Sequence, residues 1–110
     1  MAETLAEIKE RITAQAPQIM SGPNVHKLKM KILEVLKTDT QEIIIDFSDV
    51  AYIDLHGLVL FRDICDLVRI AGGKAYAYML QPQMRELFEE VDLLAETENA
   101  GSDHYLLKSA

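Results

Sequence analysis

Few side chains in this 110-residue chain are equipped for chemistry, and their spacing narrows what that chemistry could be. His26, His56 and His104 could each ligate a metal, but none has a second donor three or four residues on. They therefore read as surface or structural histidines, and no metal site is expected. Cys65 is the single cysteine and lies in the apolar run Leu58–Ile70, where a buried small hydrophobe is expected. A catalytic thiol would need a base beside it, and the neighbouring sequence offers none. Gly72-Gly73 follows a helical pattern rather than a strand and lacks the third glycine of a dinucleotide fingerprint. No phosphate loop, HExxH or GxSxG is present. The chain is expected to be no enzyme, with no catalytic residue and no cofactor.

What remains is Asp54-Leu55-His56-Gly57, followed by Leu58 and Val59. An aspartate ahead of a helix accepts hydrogen bonds from the first free N–H groups, and its charge complements the positive helix end. A glycine there lets the chain turn sharply and leaves the helix end open to a partner. Leu58 and Val59 then stand in the first turn. They read either as an exposed apolar pair with a polar rim, a docking site, or as core residues behind a simple cap. Ser48 is the nearest hydroxyl and reads as a turn residue.

The composition limits the setting in which that loop works. Hydrophobic residues make up 49% and charged residues 26%, a globular balance at single-domain length. The net charge of −7 and pI near 4.8 disfavour nucleic acid, which needs clustered Lys and Arg. Residues 1–50 carry six basic and eight acidic side chains, and residues 51–110 carry five and ten. The second half is thus the more acidic surface, either steering a basic partner or serving solubility. No apolar run is long enough to span a bilayer, and MAETLAEIKERITAQ lacks the apolar core of a signal peptide. A lone cysteine makes no disulfide framework. A single cytoplasmic domain over residues 1–110 is expected.

Elements able to position the loop can be traced along the chain. Thr4 and Glu7 have capping-box spacing, and Leu5, Ile8 and Ile12 recur at helical intervals, so residues 5–15 read as a helix. Pro17 and Ser21-Gly22-Pro23 interrupt, leaving a short strand at 18–20. Asn24 is placed to cap a helix over 25–37, with Val25, Leu28, Ile32, Val35 and Leu36 on one face. Gln41–Phe47, with Ile43-Ile44-Ile45, reads as a strand covered on both faces. After the turn residues Asp46, Ser48 and Asp49, a short apolar step over 50–53 leads to Asp54. A helix over 58–70 follows, its wet face marked by Arg62, Asp66 and Arg69 with Asp63 beside them. Gly72 ends it, residues 74–80 form a strand, and Pro82 opens a helix to Glu90. Residues 102–108 read as a last helical segment. Strand–helix–strand order predicts a right-handed βαβ unit and an α/β sheet with parallel neighbours.

The block IIIDFSDVAYIDLHGL over 43–58, then AGGKAYAYML and QPQMRELFEEVDLL, resembles the STAS domain, named for sulfate transporters and anti-sigma factor antagonists. The resemblance covers residues 25–95. It implies an α/β STAS-like single domain, a small mixed central β-sheet flanked by about four helices, with residues 1–23 a divergent N-terminal strand or helix. It also implies a non-enzymatic protein-interaction module, bacterial and cytoplasmic, working by partner switching in signal transduction. Its partner would be an anti-sigma factor of the serine kinase type or another STAS protein. Asp54, Leu55, His56, Gly57, Leu58, Val59 and Arg62 are the partner-binding residues the resemblance points to. In the antagonists it resembles, the loop reads Asp-Ser-Ser/Thr-Gly, and phosphate on the first Ser expels the partner. Here Leu55 and His56 fill those two positions, so no phosphorylation is expected at the usual place. The compact Ser21-Gly22-Pro23 is closer to the STAS domains of sulfate transporters, which implies the alternative: a cytosolic regulatory domain of, or acting on, an anion transporter. No phosphate cradle is visible for a small-ligand role.

Overall fold

The computed structural model describes residues 11–37, 42–95 and 104–108. A four-stranded mixed sheet runs in the order β1 (Arg11–Gln15), β3 (Glu42–Asp46), β5 (Lys74–Tyr78), β6 (His104–Leu106). The first three are parallel, and β6 returns antiparallel on β5. A second, two-stranded parallel ribbon pairs β2 (Ile19–Met20) with β4 (Tyr52–Ile53). Three helices complete the described residues: α1 (Gly22–Val35), α2 (Leu55–Ile70) and α3 (Pro82–Glu90). This is the expected α/β architecture with a small mixed sheet, though with three helices among the described residues rather than about four.

The difference in helix number arises at both ends of the chain. Residues 11–15 form an edge strand, not the end of a helix, with Ile12 opposite Ile43 and Ala14 opposite Ile45. The expected helix over 5–15 otherwise lies outside the described residues. Ile12 and Thr13 are β-branched and suit a strand, and the ladder to β3 overrides the local 3.6-residue pattern. Likewise 104–106 is a strand, not a helix, with Tyr105 opposite Ala77 and the Leu107 N–H donating to the Ala75 carbonyl at 2.8 Å. Neither segment is long enough to hold a helix against the gain from completing a sheet edge.

The helices cover one face of the sheet. Ile43, Ile45, Ala75 and Ala77 are buried there, among Val25, Leu28 and Ile32 of α1 and Phe61, Ile64 and Val68 of α2. Ile44 is half-buried, in an in-register row with Thr13, Tyr76 and Leu106 on the opposite face. The run of three isoleucines is therefore not covered equally on both sides, as its composition had predicted. Phe47, Phe61 and Phe88 form an aromatic triad with ring centroids 5.4–5.6 Å apart, joining the end of β3 to α2 and α3. At the end of α3, Asp92 takes a left-handed φ of 60°, and the Leu93 N–H reaches back to the Phe88 carbonyl at 2.8 Å. That closure buries Leu93 against the core.

Candidate functional site

Three short segments converge at the start of α2. The Asp54 N–H donates to the Met20 carbonyl, 3.3 Å, so β2 and β4 hold the capping residue in place. The Asp54 carboxylate accepts from the Gly57 N–H at 2.6 Å, as the sequence predicts for a cap. The helix nevertheless starts at Leu55, three residues earlier than its apolar periodicity indicates. Gly57 accordingly lies inside the first turn and is buried, not at an open turn. A β-carbon there would fall on the Met20 carbonyl, far inside van der Waals contact, so glycine is required by the close passage of β2.

His56 has a role that its spacing did not indicate. Its ring lies where a β-carbon on Gly22 would stand, so the first turn of α1 closes against the first turn of α2. Glycine at 22 makes room for the imidazole, and α1 starts there, not at 25. Ser21 is its cap residue and offers no side-chain hydrogen bond. Asn24, expected to cap this helix, instead donates its side-chain amide to the Ile19 carbonyl at 2.9 Å and tethers β2.

The surface above this junction is apolar. Leu55 is 76% exposed and Val59 53%, one turn apart on α2. On the adjoining ribbon Ile19 and Tyr52 are register partners, 50% and 56% exposed. Four large apolar side chains are thus exposed on the elements that build this helix start, whereas isolated exposed apolar residues are ordinary. Sequence reasoning missed Ile19 and Tyr52. The signal that could have found them was the alternation of strands, which turns every second side chain of the short strand at 18–20 and of the apolar step at 50–53 outward.

The other predicted residues divide. Leu58 is half-buried and packs against the core whereas Val59 is exposed, so the two do not form an exposed pair. Arg62 is half-buried too, and its guanidinium donates to the Val91 carbonyl at the end of α3. It clamps α2 to α3 and stands apart from the exposed four. Cys65 is buried, and desolvation, helped by the nearby Asp66 charge, pushes its thiol up to about 12. Such a thiol is a core side chain, not a nucleophile at neutral pH. Among the described residues no cluster of three His, Cys, Asp or Glu could hold a metal ion, and no helix is long and apolar enough to cross a membrane.

A comparison with protein families matches the chain over residues 4–102 to the model described as the STAS domain. No curated protein and no solved structure gives a significant match. The match takes in every described strand but β6, the Asp54 cap, the Gly72 turn and the Pro82 helix, and with the mixed sheet it identifies the fold. The chain belongs to the STAS domain family.

Proposed function

We propose that this STAS domain is a non-catalytic protein-interaction module of the anti-sigma factor antagonist kind, acting in the cytoplasm of a bacterial cell. It docks a regulatory partner through Leu55 and Val59 of α2 and the adjoining Ile19 and Tyr52. The observation that carries this reading is Leu55, 76% exposed at the first helical position. That is where the antagonists it resembles carry a phosphorylatable serine. A leucine there supplies an apolar anchor in place of a hydroxyl, so the contact persists without a phosphorylation brake. The cap, the buried Gly57 and the His56–Gly22 contact hold the anchor on a rigid element, which lowers the ordering cost of binding.

The test is titration of the purified domain with the serine-kinase-type anti-sigma ATPase of the source cell. Wild-type chain is expected to bind, and ATP is expected neither to release it nor to label it. Leu55→Asp with Val59→Asp should weaken binding at least about 30-fold, the ~2 kcal/mol typical of an interface anchor. Leu55→Ser should become a phosphate acceptor. Equal binding by the double variant would remove this docking surface. Absence of any kinase complex, with binding to a transporter's cytosolic face instead, would favour the anion-transporter alternative.

A further inference from the structure

Two non-glycine residues among the described ones hold a left-handed backbone, Asp92 at φ 60° and Met79 at φ 58°. Aspartate tolerates that region, and Asp92 closes α3 and accepts an ion pair from Lys108 at 3.0 Å. Neither reason applies to Met79. Its side chain has no group to bond the local backbone, and its β-carbon crowds the carbonyl that follows. Burial does not offset the strain either, because Met79 is 44% exposed. Glycine or asparagine would build the same turn with less strain. A strained, exposed apolar side chain that the fold does not need points to function.

Its place in the fold says which function. β1, β3 and β5 are parallel, so the segments that follow them emerge at one end of the sheet: β2 after β1, β4 after β3 and Met79 after β5. Hydrogen bonds tie the Met79 turn to the β2–β4 ribbon across a single loop. The Phe47 N–H donates to the Tyr78 carbonyl at 2.8 Å, and the Gln81 side-chain amide donates to the Val50 carbonyl at 3.0 Å. The Ala51 N–H in turn donates to the Gln18 carbonyl at 2.8 Å, beside the exposed register pair Ile19 and Tyr52. Exposed Ser48, Asp49, Ala51 and Gln18 span the interval. Leu80 packs against the core and Gln81 stands at the N-cap of α3. Those neighbours explain why the chain turns at 79, and not why a methionine is there.

We infer that Met79 is a second apolar anchor for the protein partner that docks on Leu55 and Val59, seated in a separate apolar socket of that partner across the 47–51 loop. Met79 takes this role only if the docking reading above holds. An unbranched thioether adapts to a socket more readily than a branched side chain, which suits methionine to an exposed anchor. The partner is thus a protein with two apolar sockets on its docking face, set on either side of the polar Ser48-Asp49 tip.

Titration of Met79→Asn and Met79→Leu with the same anti-sigma ATPase tests the assignment, with the melting temperature measured on each free variant. Asparagine keeps the left-handed turn and removes the anchor. Its melting temperature should equal or exceed that of wild type, while binding weakens at least about tenfold. Leucine keeps an apolar side chain at the same strain and should bind within about threefold of wild type. A side chain serving only the fold would not lower affinity without lowering stability. Wild-type affinity in Met79→Asn, where Leu55→Asp with Val59→Asp weakens the complex, would overturn the role of Met79 and leave the docking surface standing. Weaker binding with a lower melting temperature would overturn it as well, because the side chain would then be supporting the turn. No binding by the wild-type chain would remove the docking reading and the Met79 anchor together.

Discussion

Gly57 shows how little separates a turn signal from a packing requirement. In sequence it reads as a residue chosen for backbone freedom. In the fold it is buried in the first turn of α2, and the Met20 carbonyl occupies the space of its missing side chain. Gly22 likewise yields its side-chain space to the His56 ring. Both are close approaches between segments more than thirty residues apart, which no local spacing encodes. Cys65, by contrast, was legible: an apolar helical neighbourhood predicts a buried thiol, and burial raises its pKa from 9.0 to about 12. Below the unfolded value both states hold the proton, and Cys65 contributes no pH dependence. Between about 9 and 12 the unfolded thiol ionises while the native one does not, so the unfolded state binds fewer protons and stability falls as pH rises. Urea unfolding of wild type and Cys65→Ala between about pH 8 and pH 11 should show an extra loss in wild type, limited to about 1.4 kcal/mol per pH unit. Parallel pH profiles for the two proteins would show that the thiol ionises equally well in both states.

Among the elements, α2 does the most to connect fold and site. Its N-terminal turn presents Leu55 and Val59, its middle delivers Phe61 and Ile64 to the core, and Arg62 binds the end of α3. Sequence periodicity located the helix and its apolar face but began it at Leu58, because Leu55-His56-Gly57 carries no periodic signal. The extra turn rotates the assignment of each residue: Leu58 packs inward and Leu55 outward. Charge placed at these two sites should therefore act differently. Leu58→Asp should lose about 2–4 kcal/mol, from an apolar side chain removed and a carboxylate pressed against the core. Leu55→Asp should stay within about 0.5 kcal/mol of wild type, as exposed substitutions do. Thermal unfolding monitored by circular dichroism distinguishes them, and equal losses would place Leu55 in the core as well. The strands at the sheet edges were the poorly legible elements. The helical spacing read over 5–15 and 102–108 misleads at 11–15 and 104–106, because pairing with β3 and β5 decides what these short segments become.

Across the whole molecule, one core joins the three helices to a single face of the sheet, and the aromatic triad is its junction. Phe47, Phe61 and Phe88 are each fully buried, the first directly after β3 and the others from α2 and α3. Phe61→Ala should cost about 3–5 kcal/mol. Domains of this kind are stable by about 5–15 kcal/mol in total, so the variant should be marginal at physiological temperature. Calorimetry would register this as a large fall in melting temperature, and a fall of a degree or two would mean the neighbours close the cavity.

The amino-acid sequence by itself determined the α/β class, the order of the central elements, the Asp54 cap, the buried thiol and the family. These rest on signals carried within a few residues: helical spacing, β-branched runs, capping chemistry and a recognisable order of motifs. The tertiary structure decided the state of the sheet edges, the direction of Leu55 against Leu58, and the exposure of Ile19 and Tyr52 on the β2–β4 ribbon. Those features depend on which distant segments meet, and burial and strand pairing outweigh local preferences worth only tenths of a kcal/mol per residue.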